Sequence, residues 1–324
     1  MSVRYLPEFV KRPLRALPQY VAVGTRQGEA RFRVELCAGR WRVDVTSNHV
    51  IAALRPFTLA IELDEAGLGP VLLGDIERTE ALSLHFVDLE AGRTVGSLQL
   101  ERTEVKRIGP ARVGFFRVVG HTQHCVPWPY RAWNRWLQNR AARRQSDPAN
   151  LSMGDSLQPI MIFYIYPRPV VLVSVDDGRH SNIFPMDLIG PLGPDLFSLA
   201  LRSTSPSVET LKSARRVALS DIGYCDVNTA YALGVHHRQL QMRFDQLPFA
   251  IHRSARFDLP VPAIALGVRE LEIIDHATMG SHTFFVCRIV AEGTPREGVP
   301  LCHTSGMYQY FRTRRRTPLP AAPR

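Results

Sequence analysis

A histidine stands at the start of an apolar run in the C-terminal part of the chain, within the segment MGSHTFFVCRIV. His282 lies between Ser281 and Thr283, and the run that follows it predicts a buried β-strand. Alternation along this strand puts on one face Phe284, Val286 and Arg288, and on the other Phe285, Cys287 and Ile289. An imidazole in this place needs only one good hydrogen-bond partner to be structural, yet it also titrates near neutral pH. The residues alone therefore leave both a structural and a working role open for His282.

A second polar segment, RSTSPS, has the residue types of a phosphate site. It follows the apolar run LFSLAL, and Ser205 with Pro206 suits the N-cap and first position of a helix. The free amides and the positive dipole end of such a helix favour an anion. The side chains that would complete a cradle are Arg202, Ser203, Thr204, Ser205 and Ser207. Taken alone, the segment fits a plain helix cap better than a phosphate site.

The stretch HTQHC brings His121, His124 and Cys125 close together in sequence. A zinc site needs further ligands in convergent geometry, and no second pair stands nearby. The five cysteines are scattered and form no CxxC pair, which also argues against a disulfide framework. We therefore expect no metal and reduced thiols.

The composition is that of an ordinary globular protein, with 324 residues, 45% hydrophobic and 22% charged. The balance of 40 basic to 30 acidic residues favours anionic partners. The excess is mostly dispersed and is not interleaved with aromatic residues, so nucleic acid ranks last among them. The first 20 residues carry arginines and prolines, and no window approaches a membrane span. These features predict a cytoplasmic protein without a membrane partner.

The elements that must position these residues are mostly strands. Between residues 20 and 119, short β-like runs alternate with turn signals, and PWPYRAWNRWLQNRAARRQSDP then predicts a helix. Its aromatic stripe, with Trp133 and Trp136, is expected to pack on a domain or dimer surface. A second β-rich domain is predicted to begin at IMIFYIYPRPVV. We expect a β-rich domain over 1–125, a helix and linker over 126–160, a second domain over 161–312 and a basic, solvated tail over 313–324.

The stretch PRPVVLVSVDDGRHSNIFPM resembles the opening of the flavin reductase-like FMN-binding split barrels, in which a strand leads through an Asp-Gly turn into an N-x-A-P loop. The residues in register are Arg168, Pro169, Val170, Leu172, Val173, Ser174, Gly178, Asn182 and Pro185. The stretches LFSLALRSTSPSVETLKSARRVALSDI and LEIIDHATMGSHTFFVCRIVAEG resemble later parts of the same family, in the same order. The resemblance covers roughly residues 165–312 and leaves the first 150 residues unrecognised.

The resemblance implies a mainly β fold, with a Greek-key split β-barrel of the FMN-binding type in the C-terminal half. A β-rich N-terminal domain and a connecting helix would precede it. It also implies a homodimer with FMN, or alternatively FAD, at the subunit interface. The residues that it assigns to the cofactor are Asn182, Phe184, Pro185, Met186, Arg202, Ser203, Thr204, Ser205, Ser207 and Thr283. His282 would approach the nicotinamide or the edge of the flavin as the catalytic residue.

Two departures from the family pattern stand at the predicted site. Asp187 replaces a small hydroxyl residue, so its carboxylate must point away from a phosphate or the loop must differ. Ser281 replaces an acidic residue before His282, which removes a partner that could orient or protonate the imidazole.

Three functions follow in order. The first is an FMN-dependent oxidoreductase that takes a hydride from NADH or NADPH and passes electrons to free flavin, oxygen or a partner protein. The alternative is an FMN-binding electron carrier or sensor without nucleotide turnover of its own, with the N-terminal domain docking a partner. A structural or nucleic-acid-binding protein with an empty barrel ranks third.

Overall fold

The computed structural model describes residues 16–26, 31–63, 81–108, 111–142, 157–239 and 241–321. The mainly β fold is confirmed. The strands before the first described helix are β1 (Tyr20–Gly24), β2 (Phe32–Ala38), β3 (Trp41–Asp44), β4 (His49–Leu54), β5 (Phe57–Glu62), β6 (Leu82–Asp88), β7 (Arg93–Ile108) and β8 (Ala111–Gln123). Seven of them form one antiparallel sheet in the order β3-β2-β6-β7-β8-β5-β4. We call residues 31–123 the N-terminal half.

The predicted β-like runs of this half are confirmed as strands, with one omission. Strand β4 was not predicted, because five of its six residues are buried and it lacks the alternation that identifies a half-exposed strand. Strand β5 is buried at all six positions, whereas β2 and β6 alternate between buried and less buried residues. Strands β4 and β5 therefore have a second layer packed on each face.

Two helices follow, α1 (Trp128–Ala142) and α2 (Leu157–Phe163). Residues 150–156 of the predicted linker lie outside the described residues. The aromatic stripe of α1 is not packed within the described part of the chain, since Trp133 and Trp136 stack on each other and are 40% and 48% exposed. Its packing on a dimer surface stays a prediction. The buried face carries amides instead, because Asn134 accepts a hydrogen bond from the backbone of Leu17 (2.6 Å) and Gln138 donates one to the same residue (3.1 Å). No helix in the described ranges is long and apolar enough to cross a membrane.

Helix α2 corrects the prediction of a strand at the start of the second domain. Residues 158–163 are buried on all sides, and periodicity does not separate a buried helix from a buried strand in so short an apolar run. Pro159 lies in the first turn, where its missing amide costs no helical hydrogen bond.

The remaining elements, which follow α2, form the C-terminal half. Its strands are β9 (Arg168–Pro169), β10 (Val171–Asp176), β11 (Ser181–Met186), β12 (Ile189–Pro191), β13 (Leu196–Arg202), β14 (Arg216–Asp221), β15 (Ile251–Arg253), β16 (Pro260–Pro262), β17 (Gly267–Met279), β18 (His282–Glu292) and β19 (Leu301–Ser305). Its helices are α3 (Ser207–Ala214), α4 (Val227–Ala232) and α5 (Gly306–Arg314). A curled antiparallel sheet in the order β11-β10-β14-β17-β18-β13-β12 is the predicted split barrel. The two faces predicted for β18 are confirmed, since Phe285 and Cys287 pack inside this sheet and Phe284 and Val286 pack on its outside.

The two halves meet through one continuous apolar cluster. Strands β4, β5 and β8 contribute most residues from one side, and β13 and β18, with Leu192 just after β12, contribute those from the other. Phe115 of β8 meets Phe284 of β18 edge to face, with ring centroids 5.7 Å apart. Val50 of β4 lies so close to Gly190 of β12 that a Cβ on the glycine would come within 2.5 Å of its Cγ1.

A buried arginine forms a second link between the halves. Arg168 of β9 donates to the carbonyl oxygen of His49 in β4 (3.1 Å) and also contacts its Nε2. Its guanidinium lies 4.0 Å from the ring centroid of Phe163, which offers the cation an aromatic face. Burial lowers the pKa of Arg168 to about 10.

The predicted basic tail is packed rather than frayed as far as residue 321. A small sheet, β1-β19-β9, joins the two ends of the described chain, and Gly24 donates a backbone hydrogen bond to Pro320 (2.8 Å). Gln309 of α5 exchanges two hydrogen bonds with the backbone of Leu319. The last three residues of the tail lie outside the described residues.

Gly280, in the β17–β18 turn, gives a test of the contact between the halves. It has a φ of +56°, and a Cβ there would lie 1.9 Å from the carbonyl oxygen of Arg55 in the other half. Gly92 is a matched control, with a φ of +64° and no described atom within 4 Å of such a Cβ. Each alanine substitution costs about 1–2 kcal/mol of left-handed strain. Only Gly280→Ala adds about 1–3 kcal/mol of overpacking. Urea unfolding of both variants measures the difference, and equal losses would contradict the contact.

Stability should fall in mild acid because two buried histidines, His49 and His282, resist protonation. Burial and the charge of Arg202 lower the pKa of His282 from 6.5 to about 4, and burial with Arg168 lowers that of His49 well below 6.5. Below pH 6.5 the unfolded chain binds protons that the folded chain refuses. The free energy of unfolding therefore decreases as pH falls from 6.5 towards 4, by about 3 kcal/mol for His282. Urea unfolding between pH 7 and 4 should show a shallower decrease in the free energy of unfolding for His282→Asn than for the wild-type chain. The exposed control His124→Gln should keep the full wild-type decrease. Identical pH slopes for the wild-type chain and both variants would refute the assignment.

Candidate functional site

The polar residues singled out in the sequence meet at one corner of the C-terminal sheet. Arg202, the last residue of β13, lies opposite His282, the first residue of β18. Just beyond, the backbone of Ser203 donates to the carbonyl oxygen of Ser281 (3.1 Å), and the hydroxyls of Ser203 and Thr283 are 3.2 Å apart. Strand pairing therefore places a cation and two hydroxyl groups together from segments 80 residues apart in sequence.

Helix α3 begins at this corner, one residue later than predicted. Pro206, not Ser205, is in the capping position, and Val208 donates to the carbonyl oxygen of Ser205 (3.0 Å). No side chain among the described residues caps the helix. Its first amides and the positive end of its dipole are therefore suited to an anion. Thr204 is exposed and Ser207 is buried.

His282 is neutral and enclosed. Its Nδ1 lies 2.8 Å from the hydroxyl of Ser281 and accepts a hydrogen bond from the backbone of Leu54 (3.4 Å). Because Nδ1 accepts, the proton of the neutral ring is on Nε2. The residue is 1% exposed, and burial together with Arg202 lowers its pKa to about 4. His282 can donate a hydrogen bond at neutral pH, but it does not carry a charge there.

The N-terminal half covers this corner, which the sequence did not indicate. The turn between β4 and β5 lies against the turn between β17 and β18, and the backbone of Arg55 donates to the hydroxyl of Ser281 (3.0 Å). In return, the backbone of Ser281 donates to the carbonyl oxygen of Arg55 (2.7 Å). Ser281, which replaces the acidic residue of the family pattern, therefore joins the two halves. In the sequence, the Arg55-Pro56 pair indicates a turn, but it does not indicate that this turn contacts the turn between β17 and β18.

The predicted cofactor loop around Asn182 is instead a regular strand. Residues 181–186 form β11, an edge strand that tolerates Pro185 because an edge can lack one donor. Phe184 and Met186 point into the apolar interior of the barrel. Asn182 is buried, and its Nδ2 donates to the carbonyl oxygens of His236 (3.0 Å) and Gln239 (2.9 Å).

Asn182 also touches the corner through α3. Its Nδ2 is 3.5 Å from the hydroxyl of Ser207, the first residue of that helix. Its Oδ1 is buried and has no hydrogen-bond partner among the described residues. A buried amide oxygen without a donor is costly, so this atom is a candidate acceptor for a ligand group.

Asp187 belongs to a second polar cluster that sequence reasoning missed. Its Oδ2 accepts hydrogen bonds from the hydroxyl of Tyr164 (2.8 Å) and from Nδ1 of His303 (2.7 Å). Nε2 of His303 lies 2.9 Å from the hydroxyl of the partly exposed Tyr231, and Tyr20 stacks on the same imidazole. Burial alone would raise the pKa of the Asp187 carboxyl. The hydrogen bond from His303, the charge of His303 and the hydrogen bond from Tyr164 together outweigh burial, so the pKa of Asp187 is lowered. The carboxylate that was expected to disturb a phosphate is therefore occupied elsewhere.

Comparisons with known proteins agree with the position of this barrel. The family model described as flavin reductase like domain matches residues 163–312. No curated protein matches the chain.

Solved structures similar to the chain each cover less than half of it. The NADH:FAD oxidoreductase SgcE6 of Streptomyces globisporus C-1027 is 18% identical and covers 49% of this chain and 95% of its own, with a TM-score of 0.42. An FMN-binding protein of Thermus thermophilus is 26% identical over 43% of this chain and 83% of its own, with a TM-score of 0.37. The styrene monooxygenase flavin reductase of Pseudomonas putida S12 is 20% identical over 45% of this chain and 92% of its own, with a TM-score of 0.38.

The matched residues begin at the end of α2, include the whole seven-stranded C-terminal sheet with its polar corner, and end within α5. The N-terminal half lies outside the match. Residues 163–312 of this chain are a flavin reductase like domain.

Proposed function

We propose that this protein binds FMN through its C-terminal barrel and uses NADH or NADPH to reduce it. The observation that carries the proposal is the corner where Arg202, Ser203 and Thr283 meet the uncapped start of α3, inside a flavin reductase like domain. FMN differs from riboflavin by a phosphate, and this corner has the donor groups that a phosphate requires.

The donor set fits the phosphate in kind and in charge. An arginine can bind two oxygens of a phosphate at once, and hydroxyls and free helix amides can satisfy the others. The corner is electropositive, since the charge of Arg202 already lowers the pKa of His282. The unpartnered Oδ1 of Asn182 offers an acceptor for a donor group of the ligand other than its phosphate. We keep Thr204, Ser205 and Ser207 as further members of the proposed phosphate site.

His282 has a positioning role in this proposal. It holds the turn that carries Ser281 and Thr283 against the N-terminal half, through Nδ1 and the backbone of Leu54. Its approach to a nicotinamide stays a prediction. In this structure His282 is only 1% exposed. The chemistry that FMN would supply is acceptance of a hydride and transfer of electrons to free flavin, oxygen or a protein acceptor. Five unpaired cysteines fit a cytoplasmic location, which we include in the proposal.

A second candidate is an FMN-binding electron carrier or sensor without nucleotide turnover. The observation that favours it is the cover of the N-terminal half, whose Leu54 and Arg55 occupy the side of the corner next to His282. The two candidates share the flavin site and differ in whether a nicotinamide nucleotide reduces the bound flavin.

Replacement of Arg202 tests the phosphate site. We expect Arg202→Gln to weaken FMN binding about 10- to 100-fold, since a hydrogen bond to a charged group contributes about 1.5–3 kcal/mol. Binding of riboflavin, which lacks the phosphate, should be unchanged by the same substitution. Quenching of flavin fluorescence in titrations measures both affinities.

The matched control is Arg288→Gln, at the other end of the same strand pair, where Arg288 forms a surface ion pair with Glu272. It should leave both affinities unchanged. The assignment of the corner to the phosphate is wrong if Arg202→Gln weakens FMN and riboflavin equally, or weakens neither.

A further inference from the structure

The two halves of the chain have sheets of the same topology. In the N-terminal half the sheet strands in chain order are β2 to β8, and in the C-terminal half they are β10 to β14, β17 and β18. When each set is numbered from one to seven, both sheets read 2-1-5-6-7-4-3, and every neighbouring pair is antiparallel in both. Seven strands permit a very large number of orders, so this agreement indicates the same fold twice.

The connections between strands, like the strand order, are similar in the two halves. The first and second strands form a hairpin with a glycine at positive φ in each half, Gly39 at +57° and Gly178 at +84°. The sixth and seventh strands are the two longest strands of each sheet. In both halves, two residues separate them in sequence. Those residues are Gly109-Pro110 in one half and Gly280-Ser281 in the other.

The halves also pack through equivalent elements. Most of the apolar cluster between them comes from the third, fourth and seventh strands of the N-terminal sheet, β4, β5 and β8, and from the fourth and seventh strands of the C-terminal sheet, β13 and β18, with Leu192 just after the third, β12. The closest approach of Val50 to Gly190 joins the two third strands, and the contact of Phe115 with Phe284 joins the two seventh strands. Contacts between like elements are the property of a two-fold, isologous interface between subunits.

We infer that the N-terminal half is a second, diverged copy of the split barrel, which takes the place of a partner subunit within one chain. The chain is then a single-chain pseudodimer. The faces that a second copy would cover, formed by β4, β5 and β8 and by β12, β13 and β18, are already buried against each other. This internal partner takes the role that the sequence resemblance assigned to a homodimer.

The two halves are not equivalent in chemistry, and this part of the inference rests on the proposed function. The fourth strand ends on Arg202 in the C-terminal half and on the buried carboxylate of Glu62 in the N-terminal half. In the seventh strand, the residue paired with Arg202 is His282, whereas the residue paired with Glu62 is Val113. A carboxylate in place of a guanidinium repels a phosphate, so the pseudodimer has one FMN site where a symmetric dimer has two.

The mass of the protein in solution tests the pseudodimer directly. Sedimentation equilibrium of the 324-residue chain, with and without FMN, should give the mass of one chain, 36.5 kDa. The urea midpoint should not change over a 100-fold range of protein concentration, because a single chain has no subunits to dissociate. Twice the chain mass at low concentration, or a midpoint that rises with concentration, would overturn the inference.

The number of FMN molecules bound per chain tests the asymmetry. Titration at protein concentrations well above the dissociation constant should saturate at one FMN per chain, whereas two would show that both halves bind and would overturn the single site. If FMN does not bind at all, the proposed function and the single site both fail, and the mass and midpoint still decide whether the chain is a pseudodimer.

Discussion

The packing of one β-sheet half against the other is the constraint on which the rest of this structure depends. Strand β5 is buried along its whole length because one face lines its own barrel and the other meets the C-terminal half. Strand β18 is likewise buried on both faces, with Phe285 inside the C-terminal barrel and Phe284 against the N-terminal half. Without the second half, each sheet would expose a broad apolar face to water. The free-energy cost of that exposure is about 25 cal/mol for every square ångström of apolar surface.

The same contact completes the candidate site. The corner of Arg202, Ser203 and Thr283 is built entirely from the C-terminal half, but its neighbouring turn is held in place by the backbone of Arg55. His282 is neutral because it is buried against the backbone of Leu54 and beside the guanidinium of Arg202. The N-terminal half is therefore part of the site without carrying the groups that would bind a phosphate. A substitution in the β4–β5 turn can act on the site without touching a ligand.

The sequence predicted features that depend on neighbouring residues. The two faces of β18, strand β10 with the Asp-Gly turn after it, and the helix after RSTSPS all follow from alternation, turn residues and capping residues close in the chain. It did not predict β4 or α2, which are buried on all sides and show no period. The contact of Arg168 with His49 spans 119 residues, and nothing in either segment names the other. Asn182 was predicted to bind the cofactor from a loop, and its strand conformation was missed because it depends on pairing with β10.

The proposed function requires that one chain contains a complete flavin-reducing unit. The most direct measurement is the visible absorption spectrum of the single-chain species, loaded with FMN and kept anaerobic, before and after addition of NADH or NADPH. The flavin band should be bleached by at least one of the two nucleotides, in protein that sediments as one chain. A stable flavin band with both nucleotides, in protein that dithionite still bleaches, would contradict the reductase and leave the electron carrier as the function.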